Sequence, residues 1–291
     1  MFQGNLVALV TPMRPTGELD FAALERLIEW HIAEGTDGLV LIGTTGESPT
    51  INDEERKALL AFSIAQVRGR IPVIVGTGTN STSSTISYTR AALEARADAC
   101  LLVTPYYNKP TQEGLYQHYR AIAKAVAIPQ ILYNVPGRTV CDLLPETAAR
   151  IAKECSNVVA VKEATNKIER VAEYKALDAK LDLLSGDDAS EMEFMLAGGQ
   201  GVISVTANIA PRLMTELCRA ALAGDRTKAQ AINQRLSKLH NDLFVEANPI
   251  AVKWLLADMG LIQAGLRLPL TPLSEQYHAR LREALAAVDG V

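Results

Sequence analysis

Short apolar runs recur along this chain, separated by stretches with a different rhythm. Residues 5–10, 38–42, 73–75, 99–103, 130–133, 158–161, 181–184 and 201–205 are dense in Val, Ile, Leu and Ala. Continuous runs of this length, free of polar alternation, predict strands buried on both faces, as in a parallel sheet. Between them lie windows of helical period. Asp20 is placed to cap a helix carrying Leu24, Leu27, Ile28 and Ile32 on one face and stopped by Gly35. Asn52 caps the next, and 84–97, 112–126 and 188–196 are further helical windows. Eight strands alternating with helices require right-handed crossovers. They predict a closed (β/α)8 barrel over residues 1–224. Residues 225–291 have no strand pattern and read as a small helical appendage, with helices near 225–243, 249–259 and 274–287 and an extended linker at 266–272.

A doubly wound sheet is the competing architecture. Its strongest support is Gly76-Thr77-Gly78-Thr79-Asn80-Ser81, where Ser81 stands in place of the third glycine of a dinucleotide turn. No Walker lysine follows either, so nucleotide binding is rejected.

Composition narrows the remaining classes. The 291 residues are 48% hydrophobic and 21% charged, with a net charge of -4, so no basic field points to nucleic acid or an anionic membrane. No apolar run has the length of a membrane span, and no signal segment opens the chain, which leaves the cytoplasm as the expectation. The four cysteines are scattered and are expected as free thiols. The four histidines show no metal-ligand spacing, so the chemistry is expected to be metal-free.

A barrel collects its site at the C-terminal ends of its strands. Those ends carry Thr44, Thr45 and Ser48 after strand 2, Tyr106 and Tyr107 after strand 4, and Tyr133 through Arg138 at strand 5. Lys162 ends strand 6, Gly186, Asp187 and Asp188 follow strand 7, and Ile203 lies in strand 8. Each has a plain structural reading: Gly43 and Gly46 as turn residues, the tyrosines as interface packing, Asp187 or Asp188 as a helix cap. For Asp188 the cap is the preferred reading. The combination has a chemical one as well. A strand-end lysine can form a Schiff base with a carbonyl compound. Hydroxyls of Thr44, Tyr107 and Tyr133 can carry protons, Thr45 can hold a carboxylate, and Arg138 can grip a second one through its fork.

Gly43-Thr44-Thr45-Gly46-Glu47, Tyr133-Asn134-Val135-Pro136 and Val161-Lys162-Glu163-Ala164-Thr165 together resemble the pyruvate-dependent class I aldolase family of (β/α)8 lyases and synthases. Ser185-Gly186-Asp187-Asp188-Ala189-Ser190, Gly198-Gly199-Gln200-Gly201-Val202-Ile203-Ser204 and Asn248-Pro249-Ile250 extend the resemblance over essentially the whole chain. It implies a Lys162 imine with pyruvate that needs no organic cofactor, because the lysine is the electron sink. It also implies proton transfer through Tyr133, Thr44 and Tyr107, and pyruvate binding at Thr45, with Gly186 and the Ile203 carbonyl lining the site. Arg138 marks the family's synthases rather than its sialic-acid lyases. It implies L-aspartate 4-semialdehyde as second substrate, in lysine (diaminopimelate) biosynthesis, and a homotetramer built as a dimer of dimers. Val140 departs from the pattern, standing where many synthases carry glycine. Two alternatives stay open: a lyase of sialic or keto-deoxy sugar acids, and a catalytically silent metabolite-binding homologue. The resemblance also implies an allosteric lysine site at Ser48, Asn80 and Tyr106. Lysine-sensitive members carry two histidines and a glutamate where this chain has Asp53, Arg56 and Ser84, so a weak response to L-lysine is expected.

Overall fold

The computed structural model describes residues 1–288. Its chain order is β1 (Gly4–Ala8), α1 (Phe21–Ala33), β2 (Gly38–Leu41), α2 (Asp53–Val67), β3 (Val73–Gly76), α3 (Thr82–Glu94), β4 (Ala99–Val103) and α4 (Gln112–Ala125). There follow β5 (Gln130–Asn134), α5 (Pro136–Thr139), α6 (Pro145–Glu154), β6 (Val158–Glu163), α7 (Glu169–Ala176), β7 (Asp182–Ser185), α8 (Glu191–Leu196), β8 (Gly201–Ser204) and α9 (Pro211–Leu222). Helices α10 (Arg226–Asp242), α11 (Ile250–Asp258) and α12 (His278–Ala286) complete it. Each strand pairs in parallel with its neighbour in sequence, and β8 pairs with β1, closing the expected (β/α)8 barrel.

The strands fall where the apolar runs do because both of their faces are buried. Side chains of alternate residues point to opposite faces. Leu6, Ile74, Leu101, Ile131, Ala160, Leu184 and Ile203 fill the barrel interior. Val7, Val75, Leu102, Leu132, Val161, Leu183 and Val202 join the larger core shared with the helices. The caps follow the sequence too. Asp20 accepts from the Ala23 amide, and Asn52 forms a reciprocal capping box with Glu55.

One cap is a correction. Asp188 does not cap the helix that follows β7. Its Oδ2 accepts from the Val205 and Thr206 amides beyond β8, at 3.0 and 2.9 Å. The amides left open at the β8 turn need a buried acceptor more than the short α8 needs a cap. Asp187 instead accepts from the Ser190 amide and hydroxyl, at 2.9 and 2.6 Å.

The appendage is fastened to the barrel's C-terminal rim by charge. Lys253 of α11 forms an ion pair with Glu47, both side chains almost fully buried. Burial draws the Lys253 ammonium below its usual pKa range, against the opposing pull of the Glu47 carboxylate. The second Glu47 oxygen accepts from the Arg267 amide at 3.2 Å. The Arg267 guanidinium continues to the Gly17 and Thr50 carbonyls and to Glu55. Removing one partner of such a buried pair typically costs about 3–5 kcal/mol, because the other charge is left uncompensated. Residues 289–291, the end of the expected appendage, lie outside the described residues.

Candidate active site

Strand alternation decides what the end of β6 presents. Ala160 faces the barrel interior, so Lys162 does too, while Glu163 points outward. Lys162 is only 5% exposed. Among the described residues its ammonium has no hydrogen bond or ion pair, and Nζ lies 4.3 Å from the centroid of the Tyr133 ring. Behind it, Glu163 is locked by Asn134 Nδ2 (3.2 Å) and the Thr165 amide (3.1 Å). Burial raises the pKa of Glu163, with those hydrogen bonds opposing the shift. The two adjacent charges therefore serve opposite faces, the lysine the cavity and the glutamate the wall.

Asn134 is also the staple of the loop after β5. Its Nδ2 donates to Asp142 at 2.8 Å, and its Oδ1 accepts from the Leu143 amide at 2.9 Å. This holds the turn that carries Arg138. Val140, the departure from the family pattern, closes α5 in the left-handed region at φ 53°. A β-branched residue is disfavoured there, and the left-handed conformation costs a non-glycine residue roughly 1–2 kcal/mol. The turn is kept nonetheless, with the Val140 amide on the Pro136 carbonyl at 2.9 Å.

Lys162, Tyr133, Thr44, Thr45, Arg138 and Gly186 line one cavity of about 190 Å³, together with Asp187 and Asn248. Gly186 must be glycine for a contact reason: a Cβ there would lie 3.0 Å from Lys162 Cε and 2.6 Å from the Ala164 Cβ. Thr45 is buried, and its Oγ1 accepts from Asn248 Nδ2 at 2.9 Å. With that lone pair occupied, its hydroxyl proton is left for a ligand. The Asn248 carbonyl accepts from Arg138 Nη2 at 3.3 Å. One loop residue of the appendage thus touches both anion-binding candidates. The sequence placed Asn248 in a shared motif but gave it no role; its contacts span 203 and 110 positions, which no local pattern reveals.

Two expected residues stand apart. Ile203 is buried inside the barrel among apolar side chains. Tyr107 is 91% exposed at φ 71° and lines neither this cavity nor the larger one beside it.

That second cavity, of about 330 Å³, is lined by Thr44, Ser48, Arg56, Tyr88, Tyr106 and Arg138 among others. Of the expected allosteric residues, Ser48 and Tyr106 belong to its wall. Asn80 does not; its carbonyl accepts from Asn108 at 2.9 Å. Arg56 is buried in the wall, donating to the Gly76 carbonyl at 2.9 Å and to the Ser48 carbonyl at 3.4 Å. Its guanidinium carbon lies 4.4 Å from the Tyr88 ring centroid. Asp53 is engaged by the Tyr88 hydroxyl at 3.0 Å.

The chain is 60% identical over 288 residues to a 4-hydroxy-tetrahydrodipicolinate synthase of Coxiella burnetii, covering 99% of both chains. It is 59% identical over 286 residues to the protein of that name from Methylococcus capsulatus, covering 98% of both. A crystal structure of the chloride-inhibited dihydrodipicolinate synthase from Acinetobacter baumannii, complexed with pyruvate, superposes with a TM-score of 0.98. It is 53% identical, and the match covers 100% of both chains. Residues 1–288 match the dihydrodipicolinate synthetase family. A closed barrel with a buried lysine at the end of β6, matched along its whole length in sequence and structure, places this chain in the dihydrodipicolinate synthetase family.

Proposed function

We propose that this protein is a Schiff-base lyase that condenses pyruvate with L-aspartate 4-semialdehyde, the 4-hydroxy-tetrahydrodipicolinate synthase reaction of lysine and diaminopimelate biosynthesis. The observation that carries this reading is the buried Lys162 ammonium, unpaired among the described residues and facing Tyr133, in one cavity with Thr45 and Arg138.

The Lys162 amine adds to the pyruvate ketone, and loss of water leaves a cationic imine. Thr45 donates its hydroxyl to the pyruvate carboxylate. The imine withdraws electrons from the methyl group, so a proton is lost and an enamine forms. Tyr133, beside Nζ, carries protons to and from that centre, with Thr44 and Tyr107 as its relay. Proton transfer of this kind contributes roughly 10²–10⁴-fold. The enamine carbon attacks the aldehyde of the second substrate, whose carboxylate Arg138 holds. That substrate's amine then adds to the imine carbon, displacing Lys162 and closing the ring. Gly186 gives the imine room, and the Ile203 carbonyl orients the proton transfers.

No helix among the described residues is long and apolar enough to cross a membrane. We place the enzyme in the cytoplasm as a homotetramer, a dimer of dimers. Tyr107 is the reason the dimer matters: exposed in its own chain, it completes the hydroxyl relay of a neighbour.

Turnover with pyruvate and L-aspartate 4-semialdehyde, run beside pyruvate and N-acetylmannosamine, tests the reaction. Only the first pair is expected to react; turnover of the second instead assigns a sugar-acid lyase. A charge-assisted contact is worth roughly 1.5–3 kcal/mol, or about one to two decades. Arg138→Ala should therefore lose about that much in kcat/KM for the semialdehyde while retaining imine formation with pyruvate. Equal damage to both half-reactions assigns the arginine to the scaffold.

Mixing chains tests the shared relay. Tyr107→Phe and Lys162→Ala are each expected to be nearly inactive alone, and their mixed dimers to recover activity. Mixed dimers without recovery contradict a Tyr107 crossing between subunits.

The cavity beside the site supports a weak response to L-lysine. Arg56 already sets a cation in its wall, taking two carbonyls and the Tyr88 face that an ammonium ligand would use. Asp53 accepts from the Tyr88 hydroxyl and is not among the residues lining this cavity. An assay at saturating pyruvate should show little inhibition into the millimolar range. Strong inhibition at sub-millimolar lysine would show that another group supplies the carboxylate.

A further inference from the structure

Among the described residues lining the 190 Å³ cavity, Asp187 is the one carboxylate, and Arg138 and Lys162 are its cations. Lys162 is committed to the imine. That leaves a guanidinium and a carboxylate on two loops, which is the charge pattern of an α-amino acid read in reverse. We propose that Asp187 binds the α-ammonium group of the second substrate and, with Arg138, makes the site selective for an amino-acid aldehyde over a simple oxo acid. This deepens the proposed condensation and rests on it.

Strand order carries the geometry. Arg138 follows β5, Lys162 ends β6 and Asp187 follows β7, so the lysine strand lies between the other two. Neighbouring strands are about 4.8 Å apart, which puts the two flanking strands on the order of 10 Å from each other. An amino acid gripped at both ends by charge-assisted hydrogen bonds of about 2.8 Å, with bonds of about 1.5 Å on either side of its Cα, spans on the order of 8 Å between protein atoms. The two lengths are of the same order, and both groups line the one cavity with Lys162. A zwitterion bridging Arg138 and Asp187 therefore lies across Lys162, and its remaining substituent, the aldehyde arm, is directed at the enamine.

Asp187 is free to do this. Its Oδ2 is taken by the Ser190 amide and hydroxyl, which fix the carboxylate's direction. Its backbone amide and carbonyl are tied to the Ser185 hydroxyl, at 3.2 and 2.9 Å. Oδ1 has no partner among the described residues and is not fully buried, and Asp187 lines the cavity. The contacts to Ser190 and Ser185 position the group, and the open oxygen is left for a ligand.

The test compares L-aspartate 4-semialdehyde with 4-oxobutanoate, which keeps the aldehyde and carboxylate but lacks the amine. The second forms an open-chain adduct released by hydrolysis, detectable by mass. In the unaltered enzyme kcat/KM favours the amino aldehyde. Asp187→Asn keeps the Ser190 contacts and removes the charge, and should shrink that preference by about ten- to a hundredfold. Asp187→Glu keeps the charge and should retain more of the preference. Ser190→Ala disturbs the loop without removing the charge, and should reduce both aldehydes alike. The inference is overturned if Asp187→Asn lowers turnover of both aldehydes by the same factor or leaves the preference intact. If the unaltered enzyme traps pyruvate yet turns over neither aldehyde, the parent reading fails instead.

Discussion

A lysine on the inner face of a closed barrel is the constraint to which the site is fitted. An ammonium taken from water without a partner is costly, and in most proteins such a residue escapes to solvent or finds a carboxylate. Lys162 does neither. Alternation along β6 sends its carboxylate neighbour, Glu163, to the other face, where Asn134 and Thr165 hold it. The nearest compensation is the face of the Tyr133 ring, a weak partner. An amine kept this way is available to a ketone, and its cost is offset by the rigidity of strands paired on both sides.

That rigidity has a second source in the appendage. Asn248 orients Thr45 and receives Arg138, while Lys253 and Arg267 grip Glu47 within the same Gly43–Glu47 turn. Glu47 sits at φ 56°, in the left-handed region, and its buried carboxylate is held from two directions. The helices after the barrel thus help shape the cavity through the loops they clamp. A cut between residues 224 and 225 would separate Thr45 from the group that sets its hydroxyl direction.

The barrel was legible because its signal is local. Buried strands are apolar runs, and Asp20 and Asn52 cap within their own first turns. Lys162, Tyr133, Thr45, Arg138 and Gly186 could be gathered in advance because strand ends converge in this fold, and the structure brings them to one cavity. What escaped was long-range. Asp188 has a helix-cap sequence context but serves amides 17 and 18 residues away. Asn248 and Lys253 act on Thr45 and Glu47 from more than 200 residues away. Arg56, read from the sequence only as a departure within the expected lysine site, is buried in a cavity wall and held by carbonyls 8 and 20 residues away. Periodicity reports which face of an element is buried, and says nothing of which distant group meets it.

Covalent capture at the lysine is the most direct test of the account. Borohydride added in the presence of pyruvate should reduce the imine and leave a three-carbon adduct on a single peptide. Fragmentation of that peptide should place the added mass on Lys162, and Lys162→Ala should take none. An adduct on another lysine, or active enzyme that traps no pyruvate at all, would contradict it.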